Sequence, residues 1–170
     1  MKFLKTFYCF SFILCFGMAN ASSLASGIEM KPDTILPKAF LLGDHERQFE
    51  KLTMQYETLL LTATDNNMNL AFNKWVDMIT EMESYSESIG YDLKGIKMWI
   101  NIFWEPDGTI AHVAFFLKPN SRNVDVEELK GFFSAFSRHY TFPLRYKSKY
   151  SHYGSASFPT FTRKKKSGTY

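Results

Sequence analysis

Two apolar segments in the second half of the chain alternate in the way that β-strands do, and a tight turn joins them. Residues 98–105 and 109–117 each place apolar side chains at every second position. Between them stands Glu105-Pro106-Asp107-Gly108, in which Pro sets φ for an early turn position and Gly supplies a positive φ. Asp-Gly between two such segments predicts a β-hairpin. Both faces of the hairpin are apolar, so the second face is predicted to pack on another layer or to form an interface.

A helix and a last strand follow the hairpin. Asp125 and Glu128 form a pair typical of a capping box, and apolar residues at three- and four-residue steps predict a helix over 125–140. Residues 148–158 alternate again and predict a strand. Pro159 has no backbone N–H and therefore suits the end or the edge of a strand rather than the middle of a sheet.

The first half of the chain has helical periodicity. One apolar stripe predicts a helix over 45–63, and a second stripe predicts another over 67–89. Residues 64–67 offer N-cap side chains, and Gly90 suits a C-terminal cap. The two helices are predicted to form a hairpin. The second stripe has a spacing typical of a core face and consists of Met68, Ala71, Phe72, Trp75, Ile79, Met82 and Ile89.

Together these elements predict a single α+β domain over residues 45–162. A small antiparallel sheet follows the order ββαβ over 95–162 with one covering helix, and the helical hairpin over 45–89 precedes it as an additional layer. Residues 22–44 contain Ser, Pro and Gly with little periodicity, and they predict an extended lead-in to the domain.

The N-terminus has the layout of a secretory signal peptide. Lys2 and Lys5 precede an apolar segment over 6–18, and Ala19-Asn20-Ala21 places small residues where a signal peptidase reads them. We therefore interpret residues 1–21 as a signal peptide, and we expect an exported protein, periplasmic or secreted after cleavage near Ala21. The alternative is an uncleaved membrane anchor, although the apolar segment is shorter than the roughly 20 residues of a spanning helix.

Composition narrows the possible chemistry. Both cysteines, Cys9 and Cys15, lie in the leader, so the exported chain is expected to hold no disulfide and no cysteine-ligated zinc. Without the two leader lysines the formal net charge falls from +3 to +1. Residues 163–170 form a basic tail, for which a solvated, disordered terminus is favoured over weak contact with anionic lipid. The aromatic residues have core periodicity and are not interleaved with Lys and Arg, so no nucleic-acid partner is predicted.

No set of catalytic residues stands out. The histidines have no metal-like spacing, no Gly-x-Ser-x-Gly elbow is present, and the adjacent acids Glu127 and Glu128 do not face one another on a helix. We therefore predict a protein that is not an enzyme and that has no metal site and no cofactor. The alternative is a small-ligand or catalytic pocket between sheet and helices, lined by Trp75, Trp99, Phe103 and His112.

The last predicted strand is the best candidate for a binding site. A strand at the edge of a sheet presents unpaired N–H and C=O groups that an extended peptide can complete. The predicted partner-binding edge consists of Tyr150, Ser151, Tyr153, Gly154 and Ser155. The opposing interpretation, held equally, is that Lys147, Lys149 and Pro159 blunt this edge against pairing.

A series of short motifs runs from residue 84 to residue 162. The segments are Gly90-Tyr91-Asp92-Leu93-Lys94-Gly95, WINIFWEPDGTIAHVAFFL, DVEELKGFFSAFSRHY, Thr141-Phe142-Pro143-Leu144 and SHYGSASFPTF. Their order resembles the C-terminal domain of the TonB/TolA type. The chain departs from that family in having Tyr85-Ser86 where Tyr-Pro is usual, an additional helical hairpin, and only Pro32 and Pro37 in place of a long Pro-rich stretch.

The resemblance implies a periplasmic domain that binds a protein partner, such as an envelope or outer-membrane protein, by strand addition. It does not imply energy transmission to a receptor. The first hypothesis is therefore an exported, non-enzymatic interaction module, similar to a free-standing TonB C-terminal domain. The pocket protein described above is the second hypothesis, and a scaffold or inhibitor subunit with one obligate partner is a third, suggested by the two-sided apolar sheet.

Overall fold

The computed structural model describes residues 35–160 of the 170-residue chain. The predicted signal peptide over 1–21, most of the lead-in over 22–44, and the basic tail over 163–170 lie outside the described residues. The elements in chain order are β1 (Ala39–Leu41), α1 (Glu46–Gln55), β2 (Thr58–Leu59), α2 (Leu60–Ala63), α3 (Met68–Ser88), β3 (Lys97–Trp104), β4 (Ile110–Leu117), α4 (Val126–His139) and β5 (Tyr150–Ser157).

The five strands form one mixed sheet in the order β1-β4-β3-β5-β2. The predicted α+β class is therefore confirmed. The prediction of an antiparallel sheet is wrong in part, because the two outer strands pair in parallel, β1 with β4 and β2 with β5. The inner pairs, β3 with β4 and β3 with β5, are antiparallel. Both outer strands come from segments in which the sequence shows no strand periodicity.

The described end of the predicted lead-in is part of the sheet. In β1, Ala39 and Phe40 are buried and pair with Val113 and Ala114 of β4. The Val113 amide donates to the carbonyl of Lys38 over 2.8 Å. Ala39 and Phe40 bury more apolar surface as part of the sheet than they would if the segment only lay on its surface. This explains why the short segment is a strand.

The turn residues hold the β3–β4 hairpin as their types predict. The Gly108 amide donates to the carbonyl of Glu105, and Gly108 has φ of +91°, a value that L side chains rarely adopt. The Asp107 carboxylate accepts from both the amide and the hydroxyl of Thr109, over 2.9 and 2.7 Å. A Cβ atom at Gly108 would lie 2.2 Å from the carbonyl oxygen of Phe142, so the turn also packs closely on the segment after α4.

Helices cover both faces of the sheet, and this contradicts the predicted helical hairpin. Helices α3 and α4 pack on the first face, where the main core lies and where residues such as Met78, Ile100 and Phe133 are buried. Helix α1 packs on the second face. The smaller cluster on that face consists of Phe40, Leu52, Tyr56, Phe103 and Ala114. The prediction of one covering helix is therefore also wrong, since the second face of the sheet is apolar enough to hold a helix of its own.

The two longer helices on the first face begin at capping side chains. The Asn67 side chain accepts from the amide of Leu70 at the start of α3, and the Asp125 carboxylate accepts from the amides of Glu127 and Glu128 at the start of α4. Each of these bonds satisfies a backbone donor that has no partner within the helix. In the part of the chain that the structure describes, no helix is both long and apolar enough to cross a membrane.

Candidate partner-binding groove

Among residues 35–160, a strand covers only the first two residues of the outer edge of β5, and we call the remainder the free edge. Strand β2 pairs with Tyr150 and Ser151 and then gives way to α2. Among residues 35–160, no strand pairs with the outer side of residues 152–157. A free edge of this length can accept about six residues of an added strand, or roughly 20 Å of extended chain.

The direction of the peptide groups along β5 follows from its pairing with β3. The Phe158 amide donates to the carbonyl of Ile96, next to the registered pair of Ser157 and Lys97. Because hydrogen-bonded pairs alternate in an antiparallel ladder, the even-numbered residues of β5 direct their peptide groups toward β3. Ser157 and the odd-numbered residues before it, Tyr153 and Ser155, therefore direct their N–H and C=O groups toward the free edge.

Helix α3 lies beside this edge and forms the second wall of a groove, which we call the β5–α3 groove. It contains a larger recess of about 340 Å³ near Tyr153 and a smaller recess of about 180 Å³ near Ser157. Phe72 and Trp75 line both recesses. The remaining residues are Leu59, Leu61, Met68, Ala71, His152 and Tyr153 in the larger recess and Val76, Ile79, Ser155, Ser157 and Thr160 in the smaller one.

The walls of the β5–α3 groove are apolar and exposed. Met68 and Phe72 of α3 are 65% and 62% exposed, and Leu59 of β2 is 55% exposed. On the strand side, Tyr153 is 56% exposed. Large apolar side chains that are exposed together around one concave surface mark an interaction site, whereas single ones scattered over a surface do not.

Trp75 sets the distance between the helix and the strand. A Cβ atom at Gly154 would lie 2.6 Å from a ring carbon of Trp75, so the indole packs directly on a strand position that only glycine can occupy without a shift. The rings of Trp75 and His152 have their centroids 4.5 Å apart. Burial lowers the pKa of His152, which favours the neutral imidazole at the floor of the groove.

Both ends of the groove are tied by hydrogen bonds. At one end the Ser151 hydroxyl donates to the carbonyl of Tyr56 over 2.9 Å, which holds the segment before β2 against β5. At the other end the amide and the hydroxyl of Thr160 both donate to the carboxylate of Glu83 on α3, over 3.1 and 2.8 Å. The groove is therefore a bounded site rather than an open-ended gap between two elements.

The second face of the sheet continues from the groove as an exposed aromatic surface. Tyr153 stacks on Trp99, with ring centroids 5.7 Å apart. The Lys118 ammonium lies 3.9 Å from the centroid of the Trp99 ring and donates to the Ser155 hydroxyl over 2.6 Å. Phe116 lies opposite Trp99 in the β3–β4 register and is also exposed. Three neighbouring strands thus present aromatic rings beside the free edge.

The structure divides the five predicted edge residues into two groups. Tyr150 is fully buried in the main core and donates its hydroxyl to the carbonyl of Leu144. Ser151 is buried beneath the segment that carries β2. The other three, Tyr153, Gly154 and Ser155, lie along the free edge itself. The accessible edge therefore begins at residue 152 and extends to Ser157.

The four residues of the alternative pocket do not come together. Trp75 packs on the first face of the sheet, in the main core. Phe103 lies on the second face beneath α1. His112 pairs in register with Phe103 and has its Nδ1 atom 2.9 Å from the carbonyl of Pro37, and Trp99 is exposed near the far end of that face. Because the sheet separates Trp75 from the other three, these four residues do not line a common cavity.

A cluster of polar side chains lies where α1 ends, away from the groove. The Tyr56 hydroxyl donates to Glu105 over 2.6 Å, and the Lys149 ammonium lies 3.1 Å from the same carboxylate. Burial and the hydrogen bond to Glu105 raise the pKa of Tyr56. Burial raises the pKa of Glu105, but the bonds from Tyr56 and Lys149 outweigh it, so the net shift is downward. These contacts attach α1 to the β3–β4 turn, and among the described residues no group of three His, Cys, Asp or Glu side chains could hold a metal ion.

The prediction that the apolar stripe of the second helix is a core face hid the helix side of the groove. Met68, Phe72 and Ile89 belong to the predicted core stripe of the second helix, yet all three are exposed. The signal that could identify them is the width of the stripe, because one helix face cannot bury every apolar residue of α3 against a single neighbour. Apolar residues at the margin of such a stripe are candidates for binding.

Comparison of the chain with protein-family models, with curated proteins and with solved structures gave no match.

Proposed function

We propose that this protein is an exported, non-enzymatic interaction module that binds an extended segment of a protein partner by strand addition to β5. One observation carries the proposal: three outward-directed peptide groups of β5 stand beside an exposed apolar helix wall at the β5–α3 groove. Strand addition requires both features, because main-chain hydrogen bonds supply affinity and pockets for alternate side chains supply specificity.

The element order supports a likeness to the TonB-type C-terminal domain. β3, β4, α4 and β5 follow one another in the order ββαβ, and the three strands lie side by side as β4-β3-β5. In this arrangement the last strand is at the edge of the antiparallel part, where the resemblance implies that a partner is added. The short strand β2 occupies only the first two positions of that edge. The leader predicted over residues 1–21 supports export.

The partner we infer is a protein with an extended, partly apolar segment, such as an envelope protein. The alternative of a small-ligand pocket has less support, since its four residues lie on opposite faces of the sheet. Both recesses of the groove open along a strand edge, which suits a chain better than a compact ligand.

Substitution of Ser155 tests strand addition. Ser155→Pro removes an outward N–H and fills the edge with a ring, whereas Ser155→Ala removes only the hydroxyl. Twelve-residue peptides selected from a random phage-displayed library on the full chain serve as ligands. We expect Ser155→Pro to weaken the selected peptides at least tenfold, since one main-chain hydrogen bond contributes about 1 kcal/mol and the ring also obstructs its neighbours. Ser155→Ala should stay within about threefold of the parent.

Amide hydrogen exchange provides the second readout. Bound peptide should slow exchange at Tyr153, Ser155 and Ser157 and leave the amides of β4 unchanged. Thermal unfolding of both variants shows whether Ser155→Pro is folded. If folded Ser155→Pro bound the peptides as well as the parent does, strand addition at β5 would be wrong.

A further inference from the structure

We propose that the segment added to β5 carries an acidic side chain opposite Ser155, and that this carboxylate pairs with Lys118. This inference rests on the proposed function and specifies the chemistry of the partner. The segment would present apolar side chains toward α3 at alternate positions and the acidic side chain on the second face of the sheet. Lys118 is the residue that would select for this partner.

Lys118 holds its ammonium against a ring and a hydroxyl rather than against a carboxylate. Lys130, Lys149 and Arg122 have carboxylate partners, whereas Lys38 and Lys74 donate to backbone carbonyls. Lys118 instead lies over the ring of Trp99 and donates to the hydroxyl of Ser155. Within residues 35–160, no carboxylate lies within ion-pair distance of its ammonium.

The side chain of Lys118 extends across the sheet and places its ammonium at the free edge of β5. Lys118 follows β4, two strands away from the groove, but its Nζ atom lies only 2.6 Å from the Ser155 hydroxyl on the edge strand. A side chain directly opposite Ser155 on an added strand would have its Cβ about 4.5–5.5 Å from that of Ser155. An Asp or Glu side chain spans this interval, so its carboxylate can replace or share the Ser155 contact.

Because side chains alternate along a strand, one added segment can place apolar side chains against α3 and an acidic side chain next to Lys118. Successive side chains point to opposite faces, so a residue that meets Lys118 on the second face is flanked by two that face α3. Those two would enter the two recesses that Phe72 and Trp75 line. The recognised pattern is therefore apolar, acidic, apolar, and Trp99 beneath the ammonium limits its movement and keeps it over the face of the sheet.

Selection from the same random twelve-residue library tests the inference on the full chain and on two variants, Lys118→Met and Lys118→Glu. The parent chain should enrich Asp or Glu between two apolar positions, Lys118→Met should lose that enrichment, and Lys118→Glu should enrich Lys or Arg there. For one synthetic peptide, replacement of its acidic residue by the amide should weaken binding to the parent about two- to fivefold at low salt, with no effect on Lys118→Met. The difference should shrink at 1 M salt.

Arg138→Glu is the matched control, because it makes the same change of charge on α4, which packs near β1 and β4 rather than β5. It should leave the enrichment unchanged. Some peptides could lose affinity for Ser155→Pro yet show no preference for an acidic residue, or show the same acidic preference when selected on Lys118→Glu. Either result would refute the role of Lys118 and leave strand addition unaffected. Failure of every peptide to depend on Ser155→Pro would instead overturn the proposed function, and this inference with it.

Discussion

Gly154 shows how one residue fixes the width of the groove. Its missing side chain leaves room for the Trp75 ring, which a Cβ atom would approach to 2.6 Å. We expect Gly154→Ala to lower the free energy of unfolding by about 1–3 kcal/mol, because the indole must move within a packed interior. The same movement should weaken the selected peptides. Urea unfolding and peptide titration measure the two effects.

Gly131 provides the opposite case. It lies in α4, and a Cβ atom there would meet nothing within 4 Å. Gly131→Ala should therefore raise the free energy of unfolding by about 1 kcal/mol, through the higher helix propensity of Ala, and leave peptide binding unchanged. A stability loss at Gly154 no larger than the experimental error would show that Trp75 can move freely, contrary to our account of the groove.

At the scale of elements, the end of α1 separates what the sequence could predict from what it could not. The apolar stripe continues past Gln55, yet the helix stops there. Tyr56 turns its hydroxyl to Glu105, and its carbonyl accepts from Ser151. Both partners are more than 45 residues away in sequence, so no local pattern contains this information. Tertiary contacts of this kind routinely override helix periodicity.

The elements that the sequence did predict share a strong local signal. The β3–β4 hairpin has a Pro-Asp-Gly turn between two eight-residue strands, and α4 has a capping aspartate and a clear apolar stripe. β1 and β2 are three and two residues long, too short to show alternation. At the candidate site, Tyr153, Gly154 and Ser155 were identifiable from the strand, but the α3 wall required knowledge of which neighbour covers the helix.

A comparison of two tyrosines tests the anchoring of α1. Tyr56→Phe removes the hydrogen bond to Glu105 and should lower the free energy of unfolding by about 1–2 kcal/mol, because a bond to a charged, partly buried group is lost. Tyr153→Phe removes a hydroxyl from an exposed ring and should change it by less than about 0.5 kcal/mol. Urea unfolding of both variants gives the comparison.

The test is whether Tyr56→Phe loses more unfolding free energy than Tyr153→Phe does. Equal losses for Tyr56→Phe and Tyr153→Phe would mean that the Glu105 bond does not hold α1 on the sheet. Combining Tyr56→Phe with Glu105→Ala should cost less than the sum of the single changes, since each single change already removes the hydrogen bond between Tyr56 and Glu105.

At the scale of the whole molecule, the sheet separates two surfaces with different tasks. The first face carries the main core, and its margin at α3 and β5 becomes the groove. The second face is covered by α1 near the β3–β4 turn and is open at Trp99, Phe116 and Tyr153. An added strand would contact both, which is why its preferred sequence can combine apolar and acidic side chains.

Two half-buried histidines, one on each face, make the stability of the whole molecule depend on pH. Burial lowers the pKa of His152 beside Trp75 and the pKa of His112 beside Pro37. In the unfolded chain both would titrate near pH 6.5, so between pH 7.5 and 5.5 the unfolded state takes up protons before the folded state does. The free energy of unfolding should therefore fall as the pH falls through this window, by at most about 1.4 kcal/mol per pH unit for each histidine. The pKa of Glu105 is also lowered, but the stability that its charged form contributes is lost only below about pH 4.5, outside this window.

Urea unfolding at several pH values tests this expectation. In the double variant His112→Gln, His152→Gln, the free energy of unfolding should depend much less on pH. An unchanged slope would mean that neither imidazole is held neutral by the fold.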